Sequence, residues 1–228
     1  MCGRFRLSRS DKEIRDRFGV AEDHFDWTPR YNIAPTQQVA VIRQDPAQPV
    51  RRMNALRWGL VPHWAQDAAI GARMINARSE TAAEKPSFQD AFRRRRCILP
   101  ADGFYEWKRE EAGKQPYHFG LADDSLFALA GLWDRWHTPD GQILETCAIL
   151  TAAANPLMAP IHDRMPCILR DEDLELWLEP SFSQLPQLSV MLAPYDPARM
   201  KAFLVSTHVN QVRNDDPECA REWRPPAA

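Results

Sequence analysis

After Pro100 the chain changes to short apolar and aromatic runs separated by turn residues, and this pattern limits the possible folds most strongly. The runs occupy residues 104–108, 117–121, 126–133 and 144–151. Runs of this length, bounded by turn residues, are typical of an antiparallel β-meander. Because strands come in blocks and do not alternate regularly with helices, the sequence predicts an α+β fold. Its largely antiparallel sheet should curl into a barrel-like core with short helices at the flanks.

The rest of the chain mixes helix, strand and loop signals. Ser10 and Glu13 form a capping box, and Ile14 and Phe18 lie four residues apart before Gly19, which together predict the first helix. The other predicted elements are strands at 39–42, 53–58 and 202–206, helices at 79–83, 88–95 and 174–178, and loops at 26–35 and 59–64.

The sequence shows no repeat and no Gly/Ser linker, so one domain is expected over residues 1–228. The arginine run at 93–96 precedes an apolar segment and is interpreted as a solvated helix end. The polar, proline-rich segment from about residue 215 is expected to be a poorly ordered tail.

Composition excludes several classes of protein. The chain is 44% hydrophobic and 26% charged, as in ordinary globular proteins, and its net charge of −2 gives no global attraction to nucleic acid. No signal peptide or apolar run of about 18 residues is visible, so a cytoplasmic protein without membrane contact is expected. Five cysteines without a CxxC pair and six histidines without zinc-site spacing predict no metal, and no cofactor is expected. Cys97, Cys147 and Cys167 lie in apolar strings and are predicted core residues.

Cysteine is the second residue of the sequence. Removal of Met1 would leave an α-amine and a thiol on the same residue. An α-amine titrates at about pH 7.7–8, and a thiolate is a strong nucleophile. Together they could capture an aldehyde as an imine and then close a thiazolidine ring. The alternative is an ordinary cysteine that happens to lie early in the chain.

Three further segments carry polar residues that packing alone would not select. Asn76 and Arg78 follow an apolar pair at a predicted strand-to-helix junction, where Asn76 could instead be an N-cap. Glu106 lies among aromatic residues, which should raise its pKa toward neutrality and suit it to acid–base chemistry. A surface glutamate paired with Lys108 or Arg109 is the alternative. In the third segment, at 161–166, His162 could shuttle protons or serve as a structural hydrogen-bonding group.

Seven motifs follow one another along the chain. They are MCGRF at 1–5, RYNIAP at 30–35, RWGLVP at 57–62, INARSET at 75–81, ADGFYEW at 101–107, LTAAA at 150–154 and IHDRMP at 161–166. In this order they resemble the SOS-response-associated peptidase (SRAP) family of abasic-site processing proteins. The matches run from residue 2 to about residue 170.

The resemblance implies that the protein recognises an abasic site in single-stranded DNA and becomes joined to it through Cys2 as a thiazolidine, which shields the lesion. It implies proton transfer by Glu106 and His162 and an orienting role for Asn76. The implied DNA-binding residues are Arg4, Asn32, Pro35, Trp64, Arg78 and Thr151. His63 departs from the family pattern, in which a small residue is expected.

Two other functions stay open at this point. An N-terminal cysteine that uses its own amine as base also describes a thiol peptidase or amidohydrolase, which could remove Met1 by itself. A non-covalent reader of damaged single strands is the second alternative, and its binding should depend on salt and survive loss of the thiol. The residues do not indicate any protein partner.

Overall fold

The structure is a computed structural model that describes residues 2–21, 27–44, 48, 50–111 and 113–224. Strands β1–β13 are Phe5–Leu7, Arg30–Ile33, Gln38–Gln44, Arg51–Trp58, Asn76–Arg78, Arg96–Ala101, Gly103–Glu110, Gly113–Leu121, Phe127–His137, Ile143–Ala153, Arg164–Pro166, Ile168–Leu169 and Met200–Leu204. Helices α1–α5 are Asp11–Phe18, Ser79–Ala82, Gln89–Arg94, Leu174–Leu178 and Leu185–Met191. Short 3₁₀ turns cover Ala68–Arg73, Asp171–Asp173, Pro197–Arg199, Thr207–Asn210 and Pro217–Ala220.

Five strands close into a barrel. Strand β3 pairs with β4, β4 pairs in parallel with β10, β10 pairs with β9, β9 with β6, and β6 with β3 again. Residues 39–42 of β3 are all buried, so this strand is covered on both faces and its sequence is a continuous apolar run. The predicted α+β fold with a curled, largely antiparallel sheet is confirmed.

A second sheet, in the order β13-β8-β7-β1-β2, carries the amino-terminal segment. Phe5 in β1 lies opposite both Ile33 in β2 and Phe104 in β7. Its ring packs edge-on against Trp58 of the barrel, with ring centroids 5.3 Å apart. Cys2 belongs to the same buried cluster, so the start of the chain lies at the junction of the two sheets.

Most helices and strands predicted from local sequence signals are present in the structure. Helix α1 begins with the Ser10 capping box and ends at Gly19 with φ 60°, a conformation that favours glycine. The four strands predicted after Pro100 are also present. The loop predicted at 26–35 is wrong over Arg30–Ile33, which forms β2 because β1 supplies a pairing partner; residue 26 lies outside the described residues.

Two predictions about charged segments are wrong in part. Arg93 and Arg94 are exposed in the last turn of α3, as predicted for a solvated helix end, but Arg96 differs. Arg96 is buried, not solvated, because its guanidinium donates to carbonyls of Phe92, Trp177 and Phe182 among others. The segment 215–224, predicted as a poorly ordered tail, is attached to β2. There the Asp215 carboxylate accepts hydrogen bonds from the backbone N–H groups of Tyr31 (2.6 Å) and Asn32 (2.9 Å).

Residues 225–228 lie outside the described part of the chain. Within the described ranges, every helix is too short or too polar to cross a bilayer. One domain over residues 1–228 stays a prediction.

Candidate active site

Cys2 has no exposed surface and is held by Asn76. The Asn76 side-chain Nδ2 donates to the Cys2 carbonyl oxygen at 2.9 Å. Strand β5 brings Asn76 to this place by pairing in parallel with β10, where Ile149 lies opposite Asn76. The Asn76 Oδ1 is buried and has no hydrogen-bond partner among the described residues, so it can accept a bond from a group that enters the site.

Glu106 is a buried carboxylate on β7. Burial raises the pKa of Glu106 to about 7, because the ionised form loses solvation. The side chain is 5% exposed, and Lys108 lies 3.7 Å from Glu110, which excludes the alternative of a surface Glu106–Lys108 pair. A carboxyl with a pKa near 7 can both donate and accept a proton at neutral pH.

The Cys2 thiol is electrostatically coupled to Glu106. Burial raises the pKa of the Cys2 thiol well above its ordinary value, and the negative charge of Glu106 raises it further. The resting thiol is therefore protonated near neutral pH. It becomes a good nucleophile when a nearby base removes its proton.

His162 follows the 3₁₀-like turn after β10 and is half-buried. Its Nδ1 accepts a hydrogen bond from the backbone N–H of Arg164 at 3.0 Å, which places the proton of the neutral ring on Nε2. Burial lowers the pKa of His162, so the ring is neutral at pH 7 although Asp163 Oδ1 lies 3.0 Å from Nδ1. The neutral imidazole offers an Nε2–H donor.

Glu106 and His162 line one cavity of about 430 Å³. Its other walls are Arg4, Trp107, Arg109, Lys114 and Asn210. Arg109 and Lys114 lie directly opposite each other on β7 and β8, where two like charges are unfavourable unless an anion joins them. The cavity therefore combines Glu106 and His162 with three cations. Cys2 has no exposed surface and does not line the cavity, and its electrostatic interaction with Glu106 connects it to this site.

Residues 1–212 match a family model described as SOS response associated peptidase (SRAP). The chain belongs to the SRAP family. It is 46% identical to the abasic site processing protein YoqW of Bacillus subtilis, covering 96% of this chain and 98% of that protein. It is 34% identical to the abasic site processing protein HMCES of Gallus gallus, covering 96% of this chain and 77% of that protein. A crystal structure of a protein from Bacteroides thetaiotaomicron is 29% identical, covers 98% of this chain and 100% of that one, and has a TM-score of 0.86.

Two of the residues that the SRAP resemblance assigned to DNA lie inside the protein. Asn32 is fully buried, and its Nδ2 donates to the carbonyls of Val209, Gln211 and Asn214. Thr151 is 1% exposed and accepts a hydrogen bond from Arg164 at 3.3 Å. Direct contact of either side chain with DNA does not fit this burial, because β2 and β10 are covered by other segments at these points.

Arg4 has a mixed role in this SRAP chain. Its Nη1 donates to Asn32 Oδ1 at 2.6 Å and to the Val209 carbonyl at 2.8 Å, and its guanidinium lies 5.5 Å from the centre of the Trp107 ring. It nevertheless lines the cavity. Asn32 therefore positions Arg4, and Arg4 presents charge to the cavity.

The other predicted DNA-binding residues do not line this cavity. Arg78 is exposed, two residues after Asn76 on β5. Trp64 is 50% exposed, and its Nε1 lies 3.4 Å from the Pro86 carbonyl. Pro35 is half-buried and precedes Thr36, which has φ 70°, a strained value for a β-branched residue. His63 contacts Asp134 on the barrel, with Nδ1 3.2 Å from its carboxylate.

Sequence reasoning missed four of the cavity residues. Trp107 is adjacent to Glu106 in a recognised motif, and the turn between Arg109 and Lys114 was a readable hairpin signal. Asn210 had no local signal: it reaches the site because its Oδ1 accepts a hydrogen bond from Trp107 Nε1 at 2.7 Å.

One group of potential metal ligands occurs within the described ranges, formed by His208, Asp216 and Cys219. His208 Nε2 lies 3.0 Å from Asp216, and Cys219 Sγ donates to the Asn214 carbonyl at 3.2 Å. These contacts tie the segment after β13 together. The expectation of no metal stays a prediction.

Proposed function

We propose that this chain processes abasic sites by joining Cys2 covalently to the lesion in single-stranded DNA. The printed names of its relatives support abasic-site processing, and the SRAP family name connects it with the SOS response. The observation that carries the covalent step is the carboxyl of Glu106, buried, with a pKa of about 7 and coupled to Cys2.

The reaction balances without any added oxidant or reductant. With Met1 removed, the Cys2 amine attacks C1′ of the ring-opened deoxyribose, and loss of one water gives an imine. The thiol then adds to the imine carbon while its proton moves to the nitrogen. The product is a thiazolidine whose mass is that of protein plus DNA less one water.

The raised thiol pKa sets the order of the two steps. A protonated thiol is a poor nucleophile, whereas an α-amine with a pKa of about 8 is partly free at neutral pH. The amine therefore reacts first. Glu106 in its ionised form then relays the thiol proton to the imine nitrogen as the ring closes.

Opening of the closed sugar requires a proton donor and a proton acceptor at the same time. Glu106 on the wall of the cavity can donate a proton in its protonated form and accept one in its ionised form. The Nε2–H of neutral His162 donates a hydrogen bond to the sugar oxygen from the same wall. Asn76 holds the Cys2 carbonyl, so its amide orients the nucleophilic residue.

DNA recognition in this proposal uses backbone charge and stacking. Arg4, Arg109 and Lys114 give the cavity three cations for phosphates, and exposed Arg78 extends them along β5. Trp64 and the Trp107 ring are flat groups for bases, and stacking stabilises a bound base by about 1–3 kcal/mol. Because bases in a single strand can be splayed out, these groups favour single-stranded DNA.

The test is the intact mass of the purified protein before and after incubation with a single-stranded oligonucleotide that carries one abasic site. We expect loss of Met1 and then an increase equal to the oligonucleotide less one water, which the Cys2→Ala variant lacks. Cys97→Ala is the matched control, since Cys97 is equally buried but lies within the barrel. A covalent adduct that persists in Cys2→Ala overturns the assignment of the nucleophile.

A thiol peptidase is the second candidate, favoured by the placement of Cys2 beside an acid–base carboxyl. It predicts that a peptide or amide substrate is turned over repeatedly without DNA and that thiol alkylation stops this turnover. A retained Met1 in Glu106→Gln, together with its loss in the unaltered chain, would assign removal of Met1 to the site itself.

A further inference from the structure

Asn210 reaches the Glu106 cavity from a part of the chain that carries none of the seven motifs. It is the last residue of the 3₁₀ turn Thr207–Asn210, which follows β13, and it lines the cavity. The preceding residue, Val209, is fully buried. The Val209 carbonyl accepts hydrogen bonds from Arg4 Nη1 at 2.8 Å and from Asn32 Nδ2 at 3.1 Å. The backbone that carries Asn210 is therefore held in place beside the cavity.

The side chain of Asn210 is oriented by Trp107. The indole Nε1 of Trp107 donates to Asn210 Oδ1 at 2.7 Å. Because an indole N–H is a donor only, the amide atom that faces it must be the oxygen. The other end of the amide is then the Nδ2 group, which has no hydrogen-bond partner among the described residues. Asn210 is exposed, so this donor is accessible to a ligand in the cavity.

The surroundings of this amide favour a phosphate oxygen as its acceptor. The cations of Arg4, Arg109 and Lys114 line the same cavity. Glu106 is the one carboxylate among the described lining residues, and its pKa of about 7 leaves it only partly ionised at neutral pH. Neutral amides and cationic side chains commonly share the contacts with DNA phosphates. A phosphate group therefore fits both the charge of the cavity and the amide donor.

We propose that Asn210 is a DNA-contacting residue whose Nδ2 donates to a phosphate oxygen of the bound strand, with Trp107 fixing the orientation of the amide. This inference rests on the proposed function, since the strand must enter the Glu106 cavity. The amide is oriented before the strand arrives, so little conformational entropy is lost when the contact forms. The amide carries no charge, so the contact strengthens binding without adding to its salt dependence.

The test is binding of a single-stranded oligonucleotide that carries one tetrahydrofuran residue, an abasic analogue without an aldehyde. This strand cannot be joined to Cys2, so fluorescence anisotropy measures binding apart from the covalent step. We expect Asn210→Ala to bind about 5–10-fold more weakly with an unchanged salt slope, as for one lost hydrogen bond from a neutral donor to a charged group. Gln211→Ala is the matched control and should bind like the unaltered chain, because Gln211 is exposed, adjacent and outside the cavity.

Asn210→Asp separates a contact with DNA from an effect that acts through Trp107. Aspartate keeps an oxygen acceptor for the Trp107 N–H but replaces the Nδ2 donor with a negatively charged oxygen. A phosphate contact predicts weaker binding in Asn210→Asp than in Asn210→Ala. It also predicts a greater loss than in Gln211→Glu, which adds the same charge one residue away. Equal binding of Asn210→Asp and Gln211→Glu overturns the proposal, and thermal unfolding verifies that each variant is folded.

A strand with one neutral methylphosphonate identifies the phosphate that Asn210 contacts. The methylphosphonate is moved one nucleotide at a time along the tetrahydrofuran strand. At one position the affinities of the unaltered chain and Asn210→Ala should converge, because the modification has already weakened the contact. The same affinity ratio at every position, or equal binding of Asn210→Ala and Gln211→Ala, contradicts the contact.

Failure of this inference is distinguishable from failure of the proposed function. A chain that binds the tetrahydrofuran strand through Asn210 but forms no adduct with a true abasic site overturns the covalent step and supports the contact. A chain that forms the Cys2 adduct while Asn210→Ala binds like Gln211→Ala overturns the contact alone. No binding of the strand to the unaltered chain overturns both the contact and single-stranded DNA as the substrate.

Discussion

Asp102 and Glu106 are buried carboxylates at the two ends of one short segment, and their surroundings differ. Asp102, 3% exposed, accepts hydrogen bonds from the Ser8 N–H at 3.1 Å and the Ser8 hydroxyl at 2.5 Å, and lies 3.3 Å from Arg6. Glu106, 5% exposed, has a pKa of about 7 because burial dominates. Burial alone thus does not distinguish a structural carboxylate from a reactive one; the contacts with Ser8 and Arg6 mark Asp102 as structural.

The largest expected effect is on the rate of cross-link formation, which should depend on Glu106 and not on Asp102. Glu106→Gln should slow cross-link formation by about 10²–10⁴-fold, because an amide cannot transfer protons in ring opening or ring closure. Single-turnover gel assays of adduct formation measure this rate. Asp102→Asn is the matched control and should keep the rate within severalfold. An unchanged rate in Glu106→Gln would assign that residue to structure.

The free energy of unfolding should depend on Asp102, the carboxylate that is not expected to affect the rate of cross-link formation. Asp102→Ala removes the acceptor for Ser8 and the partner of Arg6, and we expect a loss of about 3 kcal/mol in the free energy of unfolding. Urea unfolding at pH 7 measures it. Ser8→Ala, which removes one of these hydrogen bonds, should cost about 1 kcal/mol. A loss for Asp102→Ala no larger than that for Ser8→Ala contradicts the structural role.

The third expectation concerns the pH dependence of stability. The pKa of Glu106 in the folded chain, about 7, lies above its ordinary value of 4.5, so the folded state binds this proton more tightly. The stabilisation is complete below pH 4.5 and is lost as pH rises through 7. Glu106→Gln does not titrate and should become more stable than the unaltered chain over this window, by about 2–3 kcal/mol at pH 8. Equal pH dependence of both melting curves would show that Glu106 is ionised throughout.

The smallest effect should come from an exposed cation beside the site. Arg78→Ala should weaken binding of undamaged single strands severalfold and reduce the salt slope by about one, as expected for one lost phosphate contact. Fluorescence anisotropy between 50 and 200 mM salt, about the range in which such slopes are measured, tests this. Arg94→Ala is the control, and identical slopes for the two variants would exclude Arg78 from the interface.

Local sequence signals predicted helices that carry their own capping residues and strands whose residues are all buried. The α1 helix has its own caps, and the Val39–Ile42 run is apolar because both faces of β3 are covered. Strand β2 could not be read from its proline-flanked sequence, since it exists by pairing with β1. The Arg93–Arg96 run misled for a related reason: three of the carbonyls that bind Arg96, those of Trp177, Glu179 and Phe182, come from a segment more than 80 residues away.

The sequence indicated the chemical properties of the site residues better than it indicated the buried hydrogen bonds that hold the site in place. The aromatic surroundings of Glu106 predicted its raised pKa. The reaction of Cys2 with an aldehyde stays a prediction. Asn32 and Thr151 were assigned to DNA on motif alone, and their burial inside hydrogen-bond networks is a tertiary property. The Asp215 attachment was missed although Asp216 before Pro217 is a helix-start signal, because its partner residues are distant in sequence.

The burial of Cys2 has a consequence for biosynthesis. The residues that cover it come from far downstream, since Asn76 and Glu106 must be made before the site can close. A ribosome that adds about 5–20 residues per second needs on the order of 5–20 s to pass from Cys2 to Glu106. Within this interval the amino terminus of the nascent chain is still open to a processing enzyme, because the buried cluster that includes Cys2 has not yet formed.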